Sequence, residues 1–97
     1  MRILSRKTLR QFWAKFPLAE EPLKAWYHEA KAATWENPAK IKERYGNASI
    51  LKGGRVVFNI AGNKYRLVVW INYDFLTVYV RFVGTHAQYD KVDADTV

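Results

Sequence analysis

Three segments in the second half of the chain alternate between apolar and polar side chains, and this alternation constrains the fold more than any other feature. The segments are roughly Arg55–Ile60, Lys64–Tyr73 and Thr77–Gly84. Successive side chains of a β-strand point to opposite sides, so each segment has one face that can pack on a core. The alternation predicts three strands whose apolar rows are Val56, Phe58 and Ile60; Tyr65, Leu67, Val69, Ile71 and Tyr73; and Val78, Val80 and Phe82.

The connection between the first two strands fixes which polar residues face each other. A two-residue turn at positions 62–63 sets Asn59 opposite Arg66 and Arg55 opposite Trp70. A shift of one residue would exchange the two faces, so the register is a testable part of the prediction.

The second connection, positions 73–76, has an even length and brings the third polar row to the same side. It sets Trp70 opposite Tyr79 and Val68 opposite Arg81. Arg66 and Arg81 then lie on adjacent strands, within diagonal reach of each other.

One face of the predicted sheet therefore gathers cations, amides and aromatic rings, while the other face packs on the helices. Such a face is typical of sites that bind a phosphate backbone. The other interpretation is a solvated polar face with no ligand, and the pattern alone leaves both open. The residues of this face that we assign to binding a phosphate backbone, which the resemblance described below identifies as that of RNA, are Arg55, Asn59, Asn63, Lys64, Trp70 and Tyr79.

The first half of the chain predicts a short strand followed by helices. Met1–Ser5 suits a strand, and helices are expected from about Arg6 to Phe16 and from about Ala19 to Thr34. Asn37 and Pro38 are a good cap and first-turn pair for a third, short helix. The fold class predicted is α+β, a single domain over residues 1–97, with an N-terminal short strand and helices packed on one face of an antiparallel sheet.

The composition excludes several classes of protein and site. The chain has no cysteine and only two histidines, so neither a disulfide framework nor a structural zinc site is expected. Carboxylates are scarce on the polar face, and we predict no metal and no cofactor. No apolar run is long enough to span a bilayer. The N-terminal apolar segment is too short, and is charged too early, to be a secretory signal. We therefore expect a cytoplasmic location as the default.

The positive charge is concentrated in the body of the protein. Net charge is +7, with fifteen basic and six acidic side chains in residues 1–81 but one basic and three acidic in residues 82–97. A basic body attracts polyanions, and it attracts acidic proteins in the same way.

Two runs of residues resemble the HigB family of toxins from type II toxin–antitoxin systems, within the wider RelE-like fold. The first is Val57–Val69, with the sequence VFNIAGNKYRLVV. The second is Tyr79–Lys91, YVRFVGTHAQYDK, in which an arginine on the last strand precedes Thr-His and then Tyr-Asp. A weaker N-terminal match is in the same order, so the resemblance covers nearly the whole chain.

The resemblance implies a small endoribonuclease, an mRNA interferase, that inhibits translation by cutting messenger RNA, usually on the ribosome. It implies helices against an antiparallel sheet. It also implies silencing by a helix-turn-helix antitoxin similar to HigA, through which contact with DNA would be indirect. No membrane partner is expected.

Metal-independent attack by a ribose 2′-hydroxyl needs a base, an acid and cations for the crowded phosphorus. Arg66 and Arg81 suit the cationic role because guanidinium matches phosphate oxygens. His86, whose imidazole is the side chain best suited to exchange a proton near neutral pH, and Tyr89 are the candidates for proton transfer. Which of them is base and which acid stays open.

Two other functions fit the same residues. One is a non-catalytic module that binds RNA or the ribosome through the basic face, and the other is a domain that binds only protein. A domain that itself binds DNA is not expected, since the chain has no helix-turn-helix pattern.

Overall fold

The computed structural model describes all 97 residues and confirms the α+β architecture. Its strands are β1 (Arg2–Leu4), β2 (Ser49–Ile50), β3 (Arg55–Ile60), β4 (Tyr65–Asn72) and β5 (Thr77–Thr85). Its helices are α1 (Arg6–Lys15), α2 (Glu20–Ala32), α3 (Pro38–Arg44) and α4 (His86–Tyr89), with single 3-10 turns at Pro17–Ala19 and Lys52–Gly54. None of these helices has both the length and the apolar character needed to cross a bilayer.

The five strands form one sheet in the order β1-β5-β4-β3-β2. The pairs β2–β3, β3–β4 and β4–β5 are antiparallel, whereas the pair β1–β5 is parallel. The antiparallel pairing predicted for the three later strands is therefore confirmed, and the parallel N-terminal strand makes the sheet as a whole mixed. The helices between β1 and the other strands form a long connection, so no tight turn dictates the direction of β1. Pairing with β1 ends at Tyr79, which leaves the second half of β5 as a free edge.

The helices cover the apolar face of the sheet, as predicted. Phe58 is fully buried at the centre of that face and contacts three aromatic rings. The ring centroid of Trp26 from α2 lies 5.4 Å away, that of Trp35 lies 5.8 Å away in a stacked arrangement, and that of Tyr45 lies 5.1 Å away. Rings in such arrangements stabilise each other beyond the area that they bury, so Phe58 joins the sheet to the helical layer.

A polar cluster fastens α3 to α2 at the edge of this layer. The Arg44 guanidinium donates to both oxygens of Glu29, at 3.1 and 3.0 Å, and the Tyr45 hydroxyl donates to the same carboxylate. The bonds from Arg44 and Tyr45 lower the pKa of Glu29, while burial and the bond to Glu29 raise the pKa of Tyr45. This cluster places Tyr45 against Phe58.

The register between β3 and β4 confirms the sequence prediction. Asn59 is paired with Arg66, and Arg55 with Trp70. The turn differs in detail, because positive φ angles occur at Ala61 (55°) and Gly62 (68°) and not at Asn63.

The register between β4 and β5 is as predicted only in its first half. Trp70 is paired with Tyr79, but a β-bulge between Val68 and Val69 then shifts the pairing, and Val68 faces Phe82 rather than Arg81. The extra residue reverses the alternation beyond the bulge. As a result Val83, and not Phe82, completes the apolar row of β5.

We expect Phe58→Ala to lower the free energy of unfolding by about 3–5 kcal/mol, because it removes a buried ring and leaves a cavity among three others. Phe75→Ala is the matched control, since Phe75 is 78% exposed, and its effect should stay within about 0.5 kcal/mol. Urea unfolding of both variants measures the difference. Similar effects of the two substitutions would contradict the central role of Phe58.

Candidate active site

The second face of the sheet carries all the strand residues that the sequence predicts for the site, but it is less open than expected. Val57 and Val68 are paired on this face and are 3% and 0% exposed, and Arg66 is only 9% exposed. Helices α1 and α2 lie on the other face, so the cover must come from elsewhere. It comes from α4, which contacts β4 and β5, and from the residues after it, whose last main-chain oxygen, on Val97, accepts hydrogen bonds from Arg55 and Arg81. The prediction of a face free for solvent is wrong in its central part.

Arg66 lies at the start of β4 and is held by the turn that precedes the strand. Its Nη2 donates to Oδ1 of Asn63 at 2.6 Å. Its Nη1 donates to the main-chain oxygens of Asn63 and Tyr65, at 3.2 and 3.3 Å. The ring of Tyr89 from α4 lies over the guanidinium, with 6.0 Å between the guanidinium carbon and the ring centroid. The guanidinium is therefore fixed in orientation and partly shielded from water.

All the hydrogen-bond partners of Arg66 are neutral oxygens. The three ion pairs of the protein join other residues. A buried cation without an anion is costly, and such an arrangement gains most from a ligand that brings a negative charge. Three of the five N–H groups of the guanidinium are used, which leaves two for such a ligand.

The short helix α4 begins at His86 and places Tyr89 over Arg66. Its start is fixed by reciprocal bonds, in which Thr85 Oγ1 accepts from the Gln88 main chain (3.1 Å) and Gln88 Oε1 accepts from the Thr85 main chain (2.9 Å). The main-chain N–H of His86 donates to the oxygen of Lys64 at 3.1 Å, which ties the helix to the turn before β4.

The His86 ring is paired with a carboxylate that our sequence analysis did not select. Its Nδ1 lies 3.1 Å from Oδ2 of Asp90, and both side chains are about half exposed. A carboxylate at Nδ1 fixes the ring and directs Nε2 away from Asp90. The spacing of four residues within a helical segment is the signal that could have found this pair, because side chains at i and i+4 are neighbours.

Arg81 and Arg55 form a second group, apart from Arg66. The bulge places Arg81 outside the regular pairing of β5, while Arg66 is paired with Gly84, three residues further along the strand. Beside this second group lie Trp70 and Tyr79, with ring centroids 4.9 Å apart and an angle of 34° between the planes. The structure thus brings Arg66 together with Asn63 and Tyr89, joins the main chain of His86 to that of Lys64 in the turn before β4, and brings Arg81 together with Arg55.

The remaining predicted residue, Asn59, is turned toward the edge of the sheet. Its Nδ2 donates to the main-chain oxygen of Asn47 at 3.4 Å, so its role here is to join β3 to the loop before β2. Of the two histidines, His28 lies exposed on α2, on the helical side of the sheet.

The geometry around Arg66 suits chemistry on a phosphodiester. A fixed guanidinium with two unused donors can bind the phosphate oxygens, and an imidazole with a free nitrogen can exchange a proton next to it. No group of three metal-ligating side chains occurs anywhere in the protein.

Comparison with known proteins gives consistent relatives over nearly the whole chain. A family model described as HigB_toxin, RelE-like toxic component of a toxin-antitoxin system, matches residues 19–92. The protein named mRNA interferase HigB of Escherichia coli O6:H1 is 24% identical over 94 residues, covering 95% of this chain and 91% of the relative. The mRNA interferase toxin HigB of Escherichia coli K12 and the mRNA interferase HigB of Shigella flexneri are each 26% identical over 92 residues, covering 93% of this chain and 88% of the relative.

We expect Asn63→Asp to raise the free energy of unfolding by about 1 kcal/mol, because it gives Arg66 the carboxylate that it lacks. Arg66 would hold the pKa of the new carboxyl below its unfolded value of about 3.9, so the gain should be present above that pH and should be lost as the pH falls below it. Thermal unfolding at pH 7 and in acid measures both. Asn47→Asp adds the same charge at an exposed site away from Arg66, and an equal gain there would show that net charge and not pairing is responsible.

Proposed function

Because the chain belongs to the HigB family of RelE-like toxins, we propose that its Arg66 centre cuts messenger RNA on the ribosome by metal-independent attack of a ribose 2′-hydroxyl. The protein is the toxin of a toxin–antitoxin system and has the mRNA-cleaving activity of an endoribonuclease. The steps of the reaction and the residues that carry them are our proposal.

In the proposed reaction the 2′-oxygen, on losing its proton, attacks the adjacent phosphorus while the bond from phosphorus to the 5′-oxygen breaks. A proton passes to that leaving oxygen. The products are a 2′,3′-cyclic phosphate and a 5′-hydroxyl, and no water or metal takes part. The pentacoordinate phosphorus is more crowded with negative charge than the starting diester, so a cation fixed at its oxygens stabilises the transition state more than the ground state.

The single observation that carries this proposal is the buried Arg66, which has only neutral oxygens as partners. A guanidinium with a carboxylate partner would be neutralised before the substrate arrives. Arg66 keeps its full charge and is already oriented, so little reorganisation is needed when the phosphate binds.

His86 exchanges the proton in this scheme. In its neutral form, the imidazole that donates from Nδ1 to Asp90 presents an unprotonated Nε2, which can accept the proton of the 2′-hydroxyl. Asp90 is a positioning residue that holds the ring in this tautomer. Tyr89, over the guanidinium, binds the phosphate or the sugar through its hydroxyl and is the second candidate for proton transfer.

The proposed partners follow from the family and the charge. We propose a helix-turn-helix antitoxin similar to HigA, with DNA contacted only through the toxin–antitoxin complex. The net charge of +7 supports binding to messenger RNA and to the ribosome, both of which are polyanions.

We expect the RNA fragments cut by the purified protein on translating ribosomes to carry 2′,3′-cyclic phosphate and 5′-hydroxyl ends. Treating the protein with EDTA and removing the chelator before the assay should leave the rate unchanged, because no step uses a bound metal. End-group analysis of the fragments measures the first outcome. Ends with 5′-phosphate and 3′-hydroxyl would contradict 2′-hydroxyl attack, since they require an activated water. Binding to the ribosome without any cut would favour a non-catalytic module.

We expect His86→Gln to slow cleavage by about a hundredfold or more and to remove one ionisation from the pH profile of the rate. Glutamine keeps a hydrogen-bonding group at this site but does not titrate near neutrality. His28→Gln is the matched control on the exposed surface of α2. Asp90→Asn should slow cleavage less and shift that ionisation without removing it. An unchanged profile in His86→Gln would transfer the proton exchange to Tyr89, which Tyr89→Phe tests in the same assay.

A further inference from the structure

Two guanidinium groups outside the Arg66 centre converge on one oxygen atom. Arg55 on β3 donates through Nη1 to the main-chain oxygen of Val97, and Arg81 on β5 donates through Nε to the same oxygen at 3.4 Å. Neither side chain is paired with an aspartate or a glutamate. Two cations repel each other across the strand that separates them, so the pair is stabilised most by an anion bound between them. A phosphodiester, with a full negative charge and two free oxygens, fits such a pair.

An aromatic platform lies next to this pair. Arg55, Trp70 and Tyr79 occupy one row across β3, β4 and β5, and Arg81 follows Tyr79 on the same strand, at the bulge. Trp70 and Tyr79 are each partly exposed. Aromatic rings beside a phosphate-binding pair are the arrangement that binds a nucleotide of a single strand, with the base stacked and the phosphate held.

Close packing supports the position of the Trp70 ring. Gly54 has a φ of +81°, and a Cβ there would lie 2.6 Å from the Ile71 oxygen and 3.1 Å from Nε1 of Trp70. Only glycine can therefore occupy this position without moving the indole or the strand.

We propose that Arg55 and Arg81, with Trp70 and Tyr79, form a nucleotide subsite that binds a phosphate and base next to the cleavage site, and that the main chain at Val97 occupies its phosphate position in the free protein. The inference deepens the proposed function, since it assigns Arg81 to a neighbouring phosphate and not to the reacting one. Arg81 and the residue paired with Arg66 are three positions apart on β5, or about 10 Å along the strand. This separation suits a nucleotide beyond the scissile bond.

A turn that Asp93 organises holds the Val97 oxygen over the two arginines. The main-chain oxygen of Asp93 accepts from the N–H of Val97 at 2.9 Å and of Thr96 at 3.1 Å. Its side-chain Oδ1 accepts from the N–H of Asp95 at 3.0 Å. The tail therefore competes with RNA for the subsite, and binding of RNA must displace it.

The test measures equilibrium binding of a fluorescent single-stranded RNA in which every 2′-hydroxyl is methylated, so that it cannot be cut. Arg55→Ala and Arg81→Ala should each weaken binding by about tenfold. Each should also reduce the slope of log affinity against log salt concentration by about 0.7, the value for one phosphate contact on a single strand. Trp70→Ala should weaken binding by a similar factor with the slope unchanged, because a stacked base carries no charge. Arg10→Ala, an exposed arginine on α1, is the control for general loss of charge.

The role of the tail is tested by two substitutions that remove the same charge. Asp93→Ala removes the side-chain bond to the Asp95 N–H, which loosens the turn, and should tighten binding by about fivefold, the equivalent of one hydrogen bond of about 1 kcal/mol. Asp95→Ala removes a carboxylate that makes no contact in the turn and serves as the control. In an Arg55→Ala background Asp93→Ala should give no gain. The unfolding transition of each variant shows that the fold is kept.

The proposal is overturned if Arg55→Ala and Arg81→Ala behave like Arg10→Ala, or if Asp93→Ala binds no more tightly than Asp95→Ala. Absence of binding by both the unaltered protein and Asp93→Ala would overturn it as well. The assay involves no cleavage, so a failure of the proposed chemistry at His86 leaves these results unaffected. Binding as expected without any cleavage would support the subsite and contradict the proposed mechanism of cleavage.

Discussion

The pairing of β4 with strands on both sides is the constraint on which the rest of the structure depends. One face of β4 joins the aromatic core around Phe58, and the other carries Arg66 and Trp70. Since alternate side chains of a strand point to opposite faces, a slip of one residue would place Arg66 in the core and Leu67 in the site. The hydrophobic energy of the core thus fixes the position of Arg66, the cation that we propose as catalytic, even though the two lie on opposite sides of the sheet.

Much of this arrangement could be predicted from the sequence, because periodicity and turn length are local signals. The strand and helix positions, the pairing of Asn59 with Arg66 and the start of α3 at Asn37 follow from such signals, and the structure confirms them. The bulge could not be predicted, because the adjacent apolar residues Phe82 and Val83 fit either register. The cover that the last residues of the chain form over the second face was missed for a different reason. Residues after Tyr89 have no periodic pattern, and their docking depends on single contacts between distant parts of the chain.

The site also shows how a charge can be kept available at the expense of stability. Arg66 is buried with neutral partners, although a carboxylate in place of the Asn63 amide would stabilise the folded state. His86 differs in this respect, because its carboxylate partner Asp90 orients the ring but leaves the second nitrogen free. Arg55 and Arg81, in contrast, are hydrogen-bonded in the free protein to the main-chain oxygen of Val97. The three groups represent three ways of preparing a cationic or titratable side chain for an anionic ligand.

The bulge in β5 has a consequence for the behaviour of the protein at high concentration. Beyond Tyr79 the outer edge of β5 has no partner strand, and such an edge offers its main-chain groups to a strand of another molecule. A regular strand would do so over its full length. Here the bulge at Arg81, two residues beyond Tyr79 on β5, interrupts the regular spacing of those main-chain groups. Arg81 also adds a positive charge at the same place. The bulge at Arg81 thus also opposes edge-to-edge pairing of the sheet with the sheet of a second copy of the protein.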